Sequence, residues 1–520
     1  MAPGPIGTAT ERLQAIFKAY DVRGLVGEQL DADLAKAIGA AFARFAASEE
    51  GAKAIVVARD MRPSGVDLVR AFIDGATGEG LNVTDIGLAS TDIMYFASGR
   101  LGVPGAMFTA SHNPAAYNGL KMCLASAKPI GDDTGLRTIR DIAADLATGA
   151  STYRTTSARG TIRNEDMLDA FVDHALSFID VAKIRPGLKI VADTANGMGG
   201  LVVPAVLKRL PVTFEILFPE LDGTFPNHPA DPIQLENLRD LQAGVVSSGA
   251  DIGLAFDGDA DRVFLVDELG QPISGSTTTA MVASAVLEKK PGSTVLYNCI
   301  CSKAVPEVIR EHGGVPIRTR VGHSFIKALM AETDAVFGGE HSAHYYFRDN
   351  WRADSGIIAA LHVLELLSTA SEGAVMSAVR KPFERYAGSG EINTKVANPQ
   401  LVIERVEAAF AARATSVDHL DGLTVDVGSW WFNLRASNTE PLLRLNLEAP
   451  TSSEVGTHVA DVLALIMSSP PSRSRSPVGS TLSSGACALS PRGRGRLHRH
   501  HTASVAAVSV PLEGVLPCPL

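Results

Sequence analysis

LKIVADTANGMGGLVVPAVLKRL (188–210) decides the fold class. LKIVADT (188–194) is an apolar run of strand length. It breaks at the glycine-rich turn NGMGG (196–200) and resumes as LVVPAVLKRL (201–210), a stretch of helical length. A strand apolar on both faces belongs inside a sheet; glycine lets the chain turn, and the helix that follows packs back on the sheet. The unit recurs on both sides. AKAIVVARD (52–60) reads as a strand, VDLVRAFIDGAT (66–77) as a helix and LNVTDIG (81–87) as the next strand. STVLYNC (293–299), AVPEVIREHG (304–313) and VPIRTR (315–320) repeat the order. This alternation predicts layered α/β domains with mostly parallel sheets.

Residues 379–467 follow another rhythm. TVDVGSWWFNLRAS and EPLLRLNLEA alternate apolar and polar residues around SNTE, which reads as an antiparallel pair, and SSEVGTHVADVLALIM (452–467) reads as a helix. A chain of 520 residues is too long for one core. The expected division is three α/β domains over 1–155, 156–271 and 272–378, a smaller α+β domain over 379–467, and a tail over 468–520. The tail is rich in Ser, Pro, Gly and Arg, with six arginines against one acid, Glu513. It reads as a disordered basic extension, with a basic arm for nucleic acid or membrane as the rival.

A formal net charge of −10 argues against non-specific nucleic-acid binding, so an anionic substrate must be met by a local cluster of Arg and Lys. Five scattered cysteines include one C-x-C (Cys299, Cys301) and no second pair, which disfavours zinc or a disulfide framework. MAPGPIGTATERLQ has no signal-peptide pattern, and no apolar run reaches about 18 residues. The expectation is a cytoplasmic protein with no membrane and no nucleic-acid partner.

Four segments carry chemistry. In FTASHNPAAYNGLKM (108–122), Ser111 follows a strand and is surrounded by His112, Asn113, Tyr117, Asn118 and, further on, Lys121. Loops at the carboxyl ends of strands are where α/β domains place reactive groups. G-x-S-x-G is absent, so this is no esterase elbow. A plain polar turn ended by Asn113-Pro114 is the alternative. In LAFDGDADRVFLVD (254–267), Asp257, Asp259 and Asp261 alternate after an apolar strand, a density that implies a hard cation such as Mg²⁺ or Ca²⁺. Arg262 stands where an EF-hand loop needs Gly, and strand-like flanks replace helices, which disfavours an EF-hand. A solvated acidic turn is the alternative. In GGEHSAHYYFRD (338–349), Glu340, Ser342 and His344 alternate and, if extended, share one face suited to polyol hydroxyls. VGHSFIK (321–327) adds His323 and Lys327. In LRASNTEPLLR (434–444), Arg435, Ser437, Asn438, Thr439 and Arg444 surround a tight loop that reads as a phosphate cradle or as an ordinary hairpin turn.

Together with KAYDVRG (18–24), the strings TASHNP, DGDADR, GEHSAH and RASNTEP occur in order and resemble the α-D-phosphohexomutase family, in its phosphomannomutase/phosphoglucomutase branch, over roughly 14–467. The resemblance implies three related mixed-sheet α/β domains and a smaller fourth around a central cleft. It implies a phosphoserine at Ser111 and one Mg²⁺ per subunit on Asp257, Asp259, Asp261 and a phosphoserine oxygen. It places Arg262, Tyr20 and Arg23 at the reacting centre and makes Lys121 and His344 acid/base candidates. Glu340 and Ser342, with His323 adjacent, would hold the sugar, and Arg435, Ser437, Asn438 and Thr439 the phosphate that is not reacting; Arg444 flanks that loop. Ala343 stands where the family usually has Gly, ARDMRPSG (58–65) and ASTDIMYFA (89–97) depart mildly from the usual forms, the second lacking the usual Thr-Pro, and a substrate-facing Lys expected before helix 304–313 is absent, with Lys303 shifted.

The expected activity is that of a phosphomannomutase, or one that also serves as phosphoglucomutase. It would interconvert hexose 1-phosphate and hexose 6-phosphate through a hexose 1,6-bisphosphate, which also serves as activator. Phosphoglucomutase and phosphoglucosamine mutase are the alternatives, followed by a phosphotransferase using Asp257 as nucleophile, an inactive sugar-phosphate-binding protein and a calcium-binding protein. The expected assembly is a monomer or homodimer.

Overall fold

The computed structural model describes residues 4–154, 158–436 and 442–468. They form four sheets. The stretch 188–210 supplies the strand Lys189–Asp193 inside the second sheet, parallel to Ile252–Phe256 on one side and Thr213–Leu217 on the other. Its helix begins earlier than expected, at Gly199, and ends at Leu207. The glycines allow this start: a Cβ on Gly200 would lie 2.1 Å from Pro219 O, and Met198 N donates to Gly258 O (2.9 Å).

The first sheet runs Val22–Leu25, Tyr117–Leu124, Gly105–Phe108, Ala54–Arg59, Asn82–Leu88 and Ile162–Asn164, with Lys128–Pro129 paired to Tyr117–Leu124. Its last strand comes from beyond residue 155. The second runs Pro272–Ile273, Val263–Asp267, Ile252–Phe256, Lys189–Asp193, Thr213–Leu217, and the third Val315–Thr319, Thr294–Asn298, Phe337–Gly339, Tyr345–Phe347. The fourth, Ala387–Lys395, Leu442–Ala449, Trp431–Ala436, Leu423–Asp426, Ser416–Asp418, is antiparallel throughout. The helix Ser452–Met467 has the expected bounds, and Thr451 caps it by accepting from Glu454 N.

The first three sheets are mixed, as the family resemblance implies, with parallel strands at their centres. Each of the first three sheets joins its parallel strands to an antiparallel hairpin: Gly105–Phe108 with Tyr117–Leu124, Ile252–Phe256 with Val263–Asp267, and Phe337–Gly339 with Tyr345–Phe347. Apolarity on both faces marks a buried strand but does not record its direction. The turns of these hairpins are 109–116, 257–262 and 340–344, which contain TASHNP, DGDADR and GEHSAH. The segment 340–344 is therefore a tight turn and not an extended strand, closed by Ala343 N to Glu340 O (3.1 Å) and Glu340 N to His344 O (3.0 Å).

One apolar core runs through the first three sheets, including Met94, Phe171, Val191, Leu254, Met281, Phe337 and Ile358. A second covers the outer face of the first sheet, and a third, with Phe410, Phe432, Leu445 and Val462, belongs to the fourth. On that outer face the helices Ala32–Glu50 and Gly65–Gly78 touch backbone to backbone: a Cβ on Gly39 would lie 2.1 Å from Phe72 O, and one on Gly75 2.1 Å from Lys36 O. Gly39→Val should therefore lower stability by about 1–3 kcal/mol or more through overpacking. An unchanged melting temperature would refute the contact.

Candidate active site

The first hairpin turn holds Ser111 in the left-handed region (φ 48°), buried, with its N–H donating to Thr109 Oγ1 (2.9 Å). Its hydroxyl donates to Asp257 Oδ2 across the sheet boundary (2.8 Å). Two guanidinium groups frame the turn. Arg23 donates to Ala110 O and to Asn113 Oδ1 (2.6 Å), and pairs with Asp21 (2.9 Å). Arg262 donates through Nε to Asp257 Oδ2 (2.9 Å), and its Nη2 lies 2.7 Å from His112 Nδ1 and 3.5 Å from Ser111 Oγ. Burial, reinforced by Arg262 and Arg23, pushes His112 down to about 2, so its neutral ring accepts that bond.

The second turn brings three buried carboxylates together. Oxygens of Asp257, Asp259 and Asp261 lie within 4.8 Å of one another. Lys121, from the strand after the seryl turn, donates to Asp259 Oδ2 (2.8 Å) and Asp261 Oδ2 (2.5 Å), and Thr91 Oγ1 donates to Asp259 Oδ2 (2.5 Å). Burial raises Asp257 to about 7; Arg262 opposes the rise, and the two other aspartates add to it. Burial pushes Asp259 the same way, but Lys121 and Thr91 hold it well below the usual carboxylate range. Burial also opposes the charge on Lys121, yet Asp259 and Asp261 keep it firmly protonated. The turn presses on its neighbour: a Cβ on Gly258 would lie 2.4 Å from Ser111 O. Asp259 Oδ1 and Asp261 Oδ1 are buried without a hydrogen-bond partner among the described residues. Hard oxygen donors left over in a buried triplet are what a divalent cation requires, so the residues present fit one.

The third turn reaches this centre through His344. Its Nδ1 lies 2.9 Å from Asp354 Oδ2, and Asp354 pairs on its other side with Lys327 (3.0 Å). A ring nitrogen of His344 also lies within 4.8 Å of an Asp261 oxygen. Burial disfavours the imidazolium, but Asp354 outweighs it and raises His344 above its usual value. Glu340 is buried and accepts from Asn298 Nδ2 (3.2 Å), Gly322 N (3.1 Å) and Tyr346 OH (2.7 Å), which ties the VGHS loop to the GEHSAH turn. Ser342 is half-buried in that turn. His323 packs edge-on against Tyr20 (5.2 Å between ring centres), and burial beside Lys327 lowers it to about 3. Tyr20 itself packs on His323 and Phe325, and burial raises its hydroxyl, with Arg320, Asp421, Glu340 and Arg435 the charges that act on it. The structure thus groups Tyr20 with the 321–327 segment, whereas Arg23 stands at the seryl turn.

In the fourth sheet Arg435 and Arg444 both face Glu391 (3.5 and 3.1 Å). Ser437, Asn438 and Thr439 lie outside the described residues, as does the tail from 469. Lys303 is turned away, bonded to Asp426 Oδ1 and Gly428 O (both 3.0 Å). Sequence reasoning missed Arg62, Thr91 and Asp354. Each meets partners remote in sequence, and the polar stretches ARDMRPSG (58–65) and DNWRADSG (349–356) around Arg62 and Asp354 give no local spacing that marks them. Among the described residues no helix is long and apolar enough to cross a membrane.

Comparison with known proteins agrees with this geometry. Family models described as phosphoglucomutase/phosphomannomutase alpha/beta/alpha domains I, II and III match residues 14–149, 169–270 and 274–386, and that of the C-terminal domain matches 391–465. Phosphomannomutases of Salmonella montevideo and Escherichia coli K12 are 42% and 41% identical over 439 and 441 residues, each alignment spanning 83% of this chain and 94% of the relative. A phosphoglucomutase/phosphomannomutase family protein from Burkholderia thailandensis superposes with a TM-score of 0.78 at 33% identity, over 87% of this chain and 98% of that one. The Paramecium phosphoglucomutase parafusin, at 16% identity and a TM-score of 0.71 over 83% of this chain and 91% of its own, shares the fold. Four matched domains in order, with the seryl and aspartate turns in contact, establish that this chain belongs to the phosphoglucomutase/phosphomannomutase family.

Proposed function

We propose that this chain is a phosphomannomutase in which Ser111 carries the phosphoryl group exchanged between the two ends of a hexose phosphate. The contact between Ser111 Oγ and Asp257 Oδ2 (2.8 Å) is the observation that carries this reading. The naming of relatives about 40% identical as phosphomannomutases supports the mannose assignment. Asp257, Asp259 and Asp261, with an oxygen of the phosphorylated serine, would hold Mg²⁺. When bound, that ion neutralises charge on the transferring phosphoryl group.

The chain's own groups do the rest. Arg262 lies beside Ser111 Oγ and meets the equatorial phosphoryl oxygens. Phospho-Ser111 gives its phosphoryl group to the free sugar hydroxyl: the Ser O–P bond breaks and a sugar O–P bond forms. The hydroxyl proton passes to His344 Nε2, because Asp354 engages Nδ1 and fixes the tautomer. The bisphosphate then turns over, its other phosphoryl group returns to Ser111 as that sugar O–P bond breaks and a Ser O–P bond forms, and His344 gives its proton back to the sugar oxygen released. Lys121 stays protonated and faces the developing charge. Glu340 and Ser342, with His323 and Tyr20, would meet the sugar hydroxyls, and Arg435 with the 437–439 loop would grip the distal phosphate in both orientations. Burial of Ser111 limits the access of water to the phosphoserine.

Ser111→Ala should abolish turnover and leave the melting temperature close to wild type; full activity in that variant ends the proposal. Intact-protein mass after incubation with hexose 1,6-bisphosphate should place phosphate on Ser111, and phosphate on Asp257 would point to the rival phosphotransferase. Chelation of divalent ions should stop turnover and added Mg²⁺ restore it; activity that survives chelation would remove the metal from the scheme. Arg435→Ala should raise KM for the phosphosugar about tenfold, the worth of a charge-assisted hydrogen bond, with kcat less affected. A coupled assay on mannose 1-phosphate, glucose 1-phosphate and glucosamine 1-phosphate decides the sugar.

A further inference from the structure

Arg62 belongs to ARDMRPSG (58–65), a segment to which the sequence gives no chemical role, yet its guanidinium uses its full hydrogen-bonding capacity beside the centre. The side chain is fully buried. Nε donates to Asp60 Oδ2 (3.2 Å). Nη1 donates to Pro114 O (2.9 Å) and Tyr117 O (3.0 Å). Nη2 donates to Ser111 O (2.9 Å) and Asn113 O (2.6 Å). A guanidinium has five N–H donors in one plane, and all five are engaged here, four of them on carbonyls of the turn 111–117.

The turn needs such a clamp. Ser111 sits at φ 48°, a region that is unfavourable for a residue with a side chain and persists only where surroundings impose it. Four carbonyls aimed at one cation would repel one another without it. The clamp is also closed from the second domain: the Phe225 ring lies 5.0 Å from the guanidinium carbon, and a Cβ on Gly223 would lie 2.6 Å from Arg62 Cα. Arg62 therefore connects the conformation of the seryl turn to the docking of the sheet that carries the aspartates.

We infer that Arg62 is a positioning residue that holds Ser111 in the left-handed conformation from which its hydroxyl meets the aspartate turn, acting on the serine only through the backbone. The inference rests on the proposed role of Ser111. It separates position from charge. Lysine at 62 would keep a cation beside Asp60, but an ammonium cannot present five coplanar donors.

The test uses the full-length protein with Mg²⁺, as wild type, Arg62→Lys and the double variant Arg62→Met with Asp60→Asn, which removes both buried charges together. Phosphorylation of Ser111 by hexose 1,6-bisphosphate is followed by intact mass, alongside kcat, KM and melting temperature. Arg62→Lys should lose kcat and the rate of Ser111 phosphorylation on the order of 100-fold, the effect of a displacement near 1 Å at a reacting atom, with KM within about threefold. The double variant should show the same split. Wild-type kcat and phosphorylation rate in Arg62→Lys would overturn the inference. A loss of activity that merely follows the loss of folded protein in both variants would assign Arg62 to stability alone and also overturn it. If the wild type itself takes no phosphate on Ser111, it is the functional reading that fails, and the clamp falls with it.

Discussion

Three carboxylates buried within 4.8 Å of one another cannot all stay ionised unless cations stand among them, and much of this molecule is arranged to supply those cations. Lys121 comes from the first sheet, Arg262 from the aspartate turn itself, and His344, held by Asp354, from the hairpin turn of the third sheet. The Arg262–Asp257 pair is shielded from water, so removing either partner leaves an uncompensated charge at a cost of about 3–5 kcal/mol. The packing of the first three domains is therefore inseparable from the electrostatics of the centre. A domain that drifted away would take a counter-charge with it.

One architectural device places all of these groups. In each of the first three sheets the parallel run ends in an antiparallel hairpin, and the hairpin turn carries the reactive string. Every one of those turns contains a non-glycine residue in the left-handed region: Ser111 (φ 48°), Ala260 (φ 59°) and Ala343 (φ 66°). Each costs roughly 1–2 kcal/mol relative to an ordinary conformation. That cost is met by clamps such as the five-fold bonding of Arg62 and by the hydrogen bonds that close the 340–344 turn. Ala343 also shows why a relative would carry Gly there, since Gly adopts that φ freely.

The fourth sheet is attached differently. It has its own apolar core, and its contacts with the third sheet are polar: Lys303 with Asp426, Arg318 with Asp418 and Val321 N with Asp421. Polar contacts of this kind are individually weak compared with a shared core. The proposed role of the fourth sheet, gripping the unreactive end of a substrate in two orientations, is compatible with such an attachment. Lys303, which stands near a position where a relative has a substrate-facing lysine, is committed to this junction.

The α/β class, the separate character of the fourth domain and the strings that bear chemistry were legible in the sequence, because burial on both faces, strict alternation and dense local charge are all written within a few residues. The alternation of strands and helices predicts the parallel pairings, whereas the antiparallel hairpin that completes each of the first three sheets leaves no mark in the apolar pattern of its strands. The 340–344 segment was read as extended because alternation of Glu340, Ser342 and His344 is compatible with a strand, whereas its tight turn depends on the pairing of Gly339 with Tyr345. Arg62, Thr91 and Asp354 escaped notice because each meets its partners across loops and domains. The sequence by itself determined which groups would be present and that three aspartates would demand cations. Only the tertiary structure decided which cation faces which carboxylate and that Ser111 stands 2.8 Å from Asp257, because such contacts join residues well over a hundred positions apart, whose proximity is set by how sheets pack and not by any local spacing.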